Sequence, residues 1–356
     1  MWVKKIQLRN FRNYSEIDLD FEKGINFFQG NNGSGKTSLV EAIGMLALCK
    51  SIRTNDDKEM IKVDNESCVI ISQLENEIDR EYRIVISKEG KFVWIDGNEI
   101  KKISEMVGIC KIISFLPKDA ELFKDSPLKR RKFLDLNLSM QDKIYLKLLS
   151  EYNHYLLEIK NLLKNEKIDF LTLDILLEEL SKRGYVLQNK RSEFVDLLNK
   201  NLSFISEKFL DSKDLLKLSY VENIKNEGDY LKKIKEKVYA SLNNGASRVV
   251  IPGIHLDDLT LLYNSLDLAL YGSQGQNRLS VIALKLSLFK QIKDKFNQEP
   301  IIILDDVLSE LDDNHQNKLI NLLKNVEQVF ITGTKFNLDQ KISLFNVENN
   351  LVRRVN

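Results

Sequence analysis

The sequence predicts an α/β fold: a parallel-sheet α/β core, an antiparallel β subdomain beside it, and a helical lobe inserted between two stretches of core. Three observations carry this. Gly30-Asn31-Asn32-Gly33-Ser34-Gly35-Lys36-Thr37 fits the phosphate-loop pattern G-x-x-x-x-G-K-[ST] at every required position, between the apolar run Ile25-Asn26-Phe27-Phe28 and an apolar helix pattern over residues 38–48. Ile301-Ile302-Ile303-Leu304-Asp305-Asp306 reads as a buried parallel strand ending in two carboxylates. Between these motifs, residues 128–251 hold no proline and are dominated by Leu, Lys, Glu and Asn, the composition of packed helices.

In chain order, residues 2–25 alternate as strands broken by turns, with Val3, Ile6 and Leu8, then Ile17, Leu19 and Phe21, and a turn at Lys23-Gly24. In the phosphate loop, glycines let backbone N–H groups wrap a polyphosphate, the following helix start adds partial positive charge, Lys36 adds a full one, and Thr37 offers a hydroxyl to Mg²⁺. Residues 49–61 are polar and basic around Lys50 and Arg53. Residues 68–74, 80–87 and 91–95 are β-rich, with Glu89-Gly90 and Asp96-Gly97 as turns, and suggest an antiparallel sheet. A further strand, residues 111–116, ends at Pro117.

The helical stretch shows Ile144, Leu148, Tyr152, Tyr155 and Ile159, then Leu187, Phe194 and Leu198, at helical spacing, with Asn165-Glu166-Lys167-Ile168-Asp169 as the turn. No heptad register persists, so an ordinary helical lobe is expected rather than a long coiled coil. The domain reading is a core of 1–125 and 240–356 with a mainly helical insertion over 126–239. A strand over 215–221 and a helix over 229–242 lead to β-type sequence over 259–271. Tyr271-Gly272-Ser273-Gln274-Gly275-Gln276-Asn277-Arg278 then opens an amphipathic helix through Ile282, Leu286 and Phe289, and Ser and Gly at such a start turn hydroxyl and N–H groups toward an anion. Asp305 at the strand tip would hold Mg²⁺ through water, and Asp306 would orient or deprotonate an attacking water. Ser309-Glu310-Leu311-Asp312 follows, then a strand, Val329-Phe330-Ile331, leading to Thr332-Gly333-Thr334.

Composition narrows the classes. Among 356 residues, 53 Lys and Arg against 52 Asp and Glu leave a net charge of +1, so any nucleic-acid surface must be local. Three dispersed cysteines, Cys49, Cys68 and Cys110, suit reduced core thiols rather than bridges or a metal site. No apolar run approaches a membrane span and the N-terminal residues lack a signal-peptide core, so the expectation is a soluble cytoplasmic protein with no membrane partner.

The order of phosphate loop, helical insertion, S-x-G-Q helix start, acid-tipped strand and S-E-L-D loop resembles the heads of ABC-type ATPases. Within that class the chain is similar to the RecF family of bacterial recombination mediators. The similarity is carried by Leu8-Arg9-Asn10-Phe11-Arg12-Asn13-Tyr14, Glu41-Ala42, Lys50-Ser51-Ile52-Arg53-Thr54, Ser126-Pro127 with Arg130-Arg131 and Phe133-Leu134-Asp135, Gly272-Ser273-Gln274-Gly275-Gln276, and residues 304–312. Gly253-Ile254-His255-Leu256-Asp257-Asp258 resembles the family's G-P-H-R-D-D but lacks its proline and arginine.

The resemblance implies ATP and Mg²⁺ as cofactors. Nucleotide contacts are implied from Gly30 to Ser38, Arg12, Ser273, Gly275 and Gln276, metal contacts from Thr37 and Asp305, and catalytic roles for Lys36, Asp306 and Ser273. It also implies an ATP-dependent homodimer on DNA (duplex, gap or junction), weak DNA-stimulated hydrolysis, and work with RecR and RecO in loading RecA. Lys129-Arg130-Arg131-Lys132 is the candidate DNA contact, with a solvated helix face as the alternative reading. Pro117-Lys118-Asp119 stands where many ABC ATPases place a metal-contacting Gln, making Asp119 a further candidate. Two other readings stay open here: an ATP-gated clamp with vestigial hydrolysis, suggested by Asp306 where ABC ATPases usually carry Glu, and a transporter ATPase subunit.

Overall fold

The computed structural model describes residues 1–54, 56–76, 78–165, 167–210, 215–225, 229–244, 249–335 and 341–355. The chain begins with strands β1 (Trp2–Phe11), β2 (Tyr14–Asp20) and β3 (Gly24–Gln29) and helix α1 (Lys36–Leu48). Strands β4 (Ser67–Glu75), β5 (Arg80–Ser87), β6 (Lys91–Ile95), β7 (Asn98–Glu99) and β8 (Ile112–Phe115) come next. Helices α2 (Pro127–Gln141), α3 (Lys143–Leu162) and α4 (Phe170–Phe209), strand β9 (Leu216–Val221) and helix α5 (Tyr230–Asn243) follow. Then come β10 (Asp258–Tyr263), β11 (Leu266–Asp267), α6 (Leu268–Tyr271), α7 (Gln274–Phe296), β12 (Ile301–Asp305), α8 (Asp313–Leu323), β13 (Gln328–Gly333), β14 (Ile342–Glu348) and β15 (Leu351–Arg354).

Two compact units divide the chain. Met1–Ala120, Glu207–Ser212 and Ile282–Asn356 form the first, and Glu121–Ser206 with Lys213–Val281 the second. The second unit thus extends past residue 239, because β10 pairs with β9 along residues 258–263 and draws that stretch to the helices.

The first unit holds two sheets. An antiparallel sheet runs β2-β1-β4-β5-β6-β7, and a second runs β15-β14-β3-β13-β12-β8, parallel except where β15 turns back on β14. Sequence pattern tells them apart. In β5, Tyr82, Ile84 and Ile86 are buried while Glu81 and Arg83 face solvent, the alternation of a sheet with one wet face. All five residues of β12 are buried, since strands flank it on both sides and helices cover parallel sheets. Beneath β3, Phe21, Phe28, Phe330 and Phe345 pack ring to ring, with Phe21 and Phe330 at 4.9 Å and edge-to-face. Helix α1 packs on β13, β12 and β8 and is buried along almost its whole length, which fixes the phosphate loop at its start.

In the second unit, α2 and α6 pack against β10 of the short sheet β11-β10-β9. Arg191 of α4 is 1 % exposed there, and its guanidinium reaches Asp135 at 2.7 Å, Asp257 at 3.2 Å, Tyr145 Oη at 2.9 Å and the Ile254 carbonyl at 2.7 Å. Burial pushes the Asp257 carboxyl up, against the N–H of Asn223, the Tyr220 hydroxyl and Arg191, which all favour its charged form.

Three local expectations are corrected. Ile144 is 64 % exposed, and the buried residues of α3 are Tyr145, Tyr152, Leu156 and Ile159, so the expected stripe holds at Tyr152 and Ile159 and Tyr145 takes the buried place expected of Ile144. The β-type stretch ends early: Asp267 accepts from the Ala269 N–H and starts α6 over Leu268–Tyr271. The hairpin β14–β15 extends the core sheet beyond the strand read at Val329-Phe330-Ile331. The turn expected at 165–169 falls between α3 and α4, with Glu166 outside the described residues. All three cysteines are buried free thiols; burial pushes Cys49 up to about 11 and Cys68 and Cys110 to about 12. Among the described residues no helix is long and apolar enough to cross a membrane.

Candidate functional site

Strand β3 ends at Gln29 and α1 starts at Lys36, so the loop between them lies at the carboxyl end of the parallel strands, where open α/β sheets bind ligands. Gly35 caps α1 at φ 111°, a backbone only glycine adopts without strain. A Cβ on Gly30 would stand 2.3 Å from the Val347 carbonyl of β14, so that position admits no side chain. Lys36 Nζ donates to the loop's own carbonyls, Gly30 O at 2.7 Å and Asn31 O at 2.8 Å. Burial lowers the Lys36 ammonium, while Asp306 and Asp305 pull it back up. Ser34 Oγ is buried with no hydrogen-bond partner among the described residues.

The strand tip meets this loop. Asp305 Oδ1 accepts from Thr37 Oγ1 at 3.0 Å and from Thr332 Oγ1 at 2.8 Å, and burial raises its carboxyl above the usual range. The register places Asp305 beside Thr332, so β13 supplies the second hydroxyl. Asp306 sits at φ 53°, a left-handed conformation that turns the chain off the strand, and its backbone N–H donates to Thr332 Oγ1 at 2.9 Å. Ser309 Oγ donates to Asp306 Oδ1 at 3.1 Å.

Arg12 also has a positive φ, 53°, in the turn from β1 to β2. Its guanidinium forks onto Glu41, Nε to Oε2 at 2.9 Å and Nη2 to Oε1 at 2.7 Å. Glu41 is fully buried on α1, is also bonded by Ser51 Oγ, and has Arg53 at 3.6 Å. The structure therefore engages Arg12 with the helix of the phosphate loop. Asp119 is committed as well: its Oδ2 accepts from the Leu116 N–H at 2.6 Å and pairs with Lys285.

The other sequence-derived residues lie in the second unit. Ser273 Oγ accepts from the Gln276 N–H at 3.1 Å and Gln276 Oε1 from the Ser273 N–H at 2.9 Å, a reciprocal capping box that starts α7. Ser273 and Gly275 are exposed. The cation run presents fewer open charges than its sequence suggests. Arg130 grips Asp258 with two bonds of 2.7 and 2.8 Å and donates to the Phe123 and Asp125 carbonyls; Arg131 donates to the Asp257 carbonyl at 2.8 Å. Lys129 pairs with Asp125, and Lys132 is exposed.

The family model described as the RecF/RecN/SMC N-terminal domain matches residues 2–350. A Bacillus cereus (strain G9842) protein, DNA replication and repair protein RecF, is 36% identical over 345 residues, covering 94% of this chain and 92% of its own. The chain belongs to the RecF family. The RecF of Clostridioides difficile (strain 630) is likewise 36% identical, over 98% of this chain and 97% of its own. A solved structure of the recombination mediator protein RecF with ATP, from the RecFOR pathway, superposes with TM-score 0.91 at 28% identity over 100% of this chain and 98% of that one. An Smc head domain of Pyrococcus furiosus shares the fold, at TM-score 0.58 and 17% identity. RecF membership accounts for the ABC-type ATPase head architecture and for the order in which the motifs occur.

Two features of this RecF-family site escaped sequence reasoning. Thr332 joins Asp305 only because β13 pairs with β12, and the visible signal was a Thr-Gly at the end of an apolar strand. Asn13 and Tyr14 press on the phosphate loop at Gly35, and their signal was membership of the Leu8–Tyr14 motif without an assigned task.

Proposed function

We propose that the chain is an ATP-dependent DNA-binding protein of recombinational repair. ATP binding drives two copies together head to head on DNA, and slow hydrolysis releases them, supporting RecA loading at gaps or stalled forks with RecR and RecO. The observation that carries the nucleotide part is the convergence of Lys36, Thr37 and Asp305 at one end of the sheet. The DNA and partner parts are supported by the names of the relatives, DNA replication and repair proteins, and by the RecFOR pathway of the solved RecF structures.

The residues fit a nucleoside triphosphate with a divalent ion. Ser34 Oγ lacks a partner inside the loop, Gly30 and Gly35 pack so closely on Val347 O and Tyr14 Oη that the loop's path admits no side chain there, and Lys36 Nζ rests on loop carbonyls it can leave for phosphate oxygens. Thr37 and Asp305 would hold Mg²⁺, which neutralises charge on the β- and γ-phosphates when bound. Gly30 to Ser38 would cradle the phosphates, while Arg12, through Glu41, braces the helix behind them. Asp306 would orient the attacking water, held by Ser309. Ser273, Gly275 and Gln276, at an exposed helix start, would meet a γ-phosphate. Of the four cations, Lys129 and Lys132 are the proposed DNA phosphate contacts.

A second reading, a clamp whose hydrolysis is vestigial, is favoured by Asp306: a short carboxylate already bonded to Ser309 has less reach than a glutamate. Single-turnover hydrolysis with and without duplex DNA separates the two. A DNA-stimulated burst supports the ATPase, and ATP-dependent dimers without turnover support the clamp. If gel filtration shows neither ATP-dependent dimers nor ATP-dependent DNA binding, the proposal is wrong.

A further inference from the structure

The turn that carries Ser273 follows a lightly packed element. Helix α6 is a single turn, Leu268–Tyr271, in which only Leu268 is buried, while Leu270 and Tyr271 are 75 % and 69 % exposed. An element with so little packing takes its position from its polar fastenings and shifts when they shift. Asn277 of α7 supplies the first fastening. Buried at 1 % exposure, it donates through Nδ2 to the carbonyls of Leu268 at 3.4 Å, Gly272 at 3.0 Å and Ser273 at 2.9 Å. Three carbonyls around one atom settle the orientation of the amide, because a flipped Oδ1 would face all of them. A Cβ on Gly272 would stand 2.5 Å from the Leu268 carbonyl and 2.8 Å from Asn277 Nδ2, so the turn is drawn tight against this side chain.

Arg130 supplies the second fastening. From α2 it forks onto Asp258, the first residue of β10, and α6 packs on that same strand. Its bonds to Asp258 outweigh burial and hold the guanidinium above its ordinary value, and the carboxylate of Asp267 adds to the attraction. Asp267 pairs with Leu262 of β10 and caps α6. Arg130 therefore acts on the carboxylates that begin both β10 and α6, and on α2 it stands between Lys129 and Lys132.

We propose that Arg130 and Asn277 are positioning residues for Ser273: Asn277 fixes the turn that aims the hydroxyl, and Arg130 ties that turn, through α6, to the helix that carries Lys129 and Lys132. Neither touches the nucleotide. When DNA phosphates settle on the two lysines, a shift of α2 reaches α6 through the Arg130 fork, so DNA binding tunes how Ser273 meets a γ-phosphate. This rests on the roles proposed above for Ser273, Lys129 and Lys132.

ATP hydrolysis by the full chain, with and without a duplex oligonucleotide, tests it in double-mutant cycles with Ser273→Ala. Arg130→Lys keeps a charge beside Asp258 and loses the fork; it should bind ATP and duplex as wild type does, while stimulation by DNA falls to a ratio near one. Asn277→Ala should lower kcat by about tenfold at unchanged ATP affinity, the effect of a misplaced group. In the Ser273→Ala chain neither substitution should change hydrolysis further, because the group they position is gone. Losses that multiply in the double variants, or ATP and duplex affinities that fall along with the rate, are the marks of a merely structural role and overturn the inference. Stimulation by DNA that survives Arg130→Lys overturns the link to α2, as does a wild type that DNA does not stimulate. If Asn277→Ala does not fold, the cycle of Arg130→Lys with Ser273→Ala decides. A wild type that binds no ATP or no duplex fails the proposed function itself and takes this inference with it.

Discussion

Thr37 Oγ1 donates to Asp305 Oδ1 at 3.0 Å, joining the first turn of α1 to the tip of β12 through a carboxyl that Thr332 also reaches. Burial raises that carboxyl, so ionising it costs the empty protein stability. Its folded value lies above its unfolded one. The stability it contributes is thus greatest below the unfolded carboxylate range and is lost as pH rises through the folded value. Asp305→Asn should match wild type near pH 4 and melt higher than wild type near pH 7. Mg²⁺-dependent ATP affinity should fall in the same variant. Identical melting profiles across that range would show that the buried carboxyl carries no such cost.

Lys36 and Asp306 are assigned different tasks, so their variants should fail differently. Lys36→Ala removes a charged donor to phosphate and should weaken ATP by about 100-fold. Asp306→Asn keeps Lys36 and Thr37 and should retain ATP affinity while losing turnover, leaving a long-lived ATP-bound dimer. Equal ATP affinity in wild type and Lys36→Ala, measured by equilibrium dialysis, would falsify the phosphate-loop assignment.

What could be read from the chain was local. The phosphate loop, the acid-tipped strand and the Ser273 helix start each need a few residues at fixed spacing, and each lies in the expected element. What stayed hidden was the pairing of distant segments. Arg130 read as an open cation because Asp258, its bidentate partner, stands 128 residues away in sequence. Thr332 reaches the site only through the pairing of β13 with β12, which no periodicity encodes. Ile144 misled because an exposed isoleucine at the first turn of an amphipathic helix looks like the start of its buried stripe.

The Arg130–Asp258 pair should show itself in stability. Burial alone would raise the Asp258 carboxyl, but the Arg130 bonds outweigh it and hold the group below its usual value. Stability from the pair is then present above the unfolded carboxylate range and lost as pH falls through the lowered folded value. Arg130→Ala leaves a partly buried carboxylate unpaired and should cost about 3 kcal/mol at neutral pH, with the difference from wild type shrinking in acid. Lys132→Ala should be near neutral for stability and should reduce the log-log salt slope of DNA binding by about 0.9. A flattened slope with unchanged stability in Arg130→Ala would instead make Arg130 the phosphate contact.

The last expectation concerns which copy supplies Ser273. The capping box of Ser273 and Gln276 belongs to the second unit and the phosphate loop to the first. We propose that in this dimer each phosphate loop works with the Ser273 of the other copy, which would give two composite sites. Chains carrying Lys36→Ala and chains carrying Ser273→Arg should each be inactive alone, one for want of a phosphate donor and the other through steric and electrostatic block. A mixed dimer differs. One of its sites carries both lesions, and the other combines an intact Lys36 with an intact Ser273, so hydrolysis should reappear on mixing at up to half the wild-type rate if the sites act independently. Loss of the helix cap in Ser273→Arg costs about 1 kcal/mol, and a Ser273→Ala chain serves as the control for that effect alone. A site built within one chain cannot be rescued in this way. If crosslinking shows mixed dimers carrying ATP at the intact site and no activity returns, the trans arrangement is wrong.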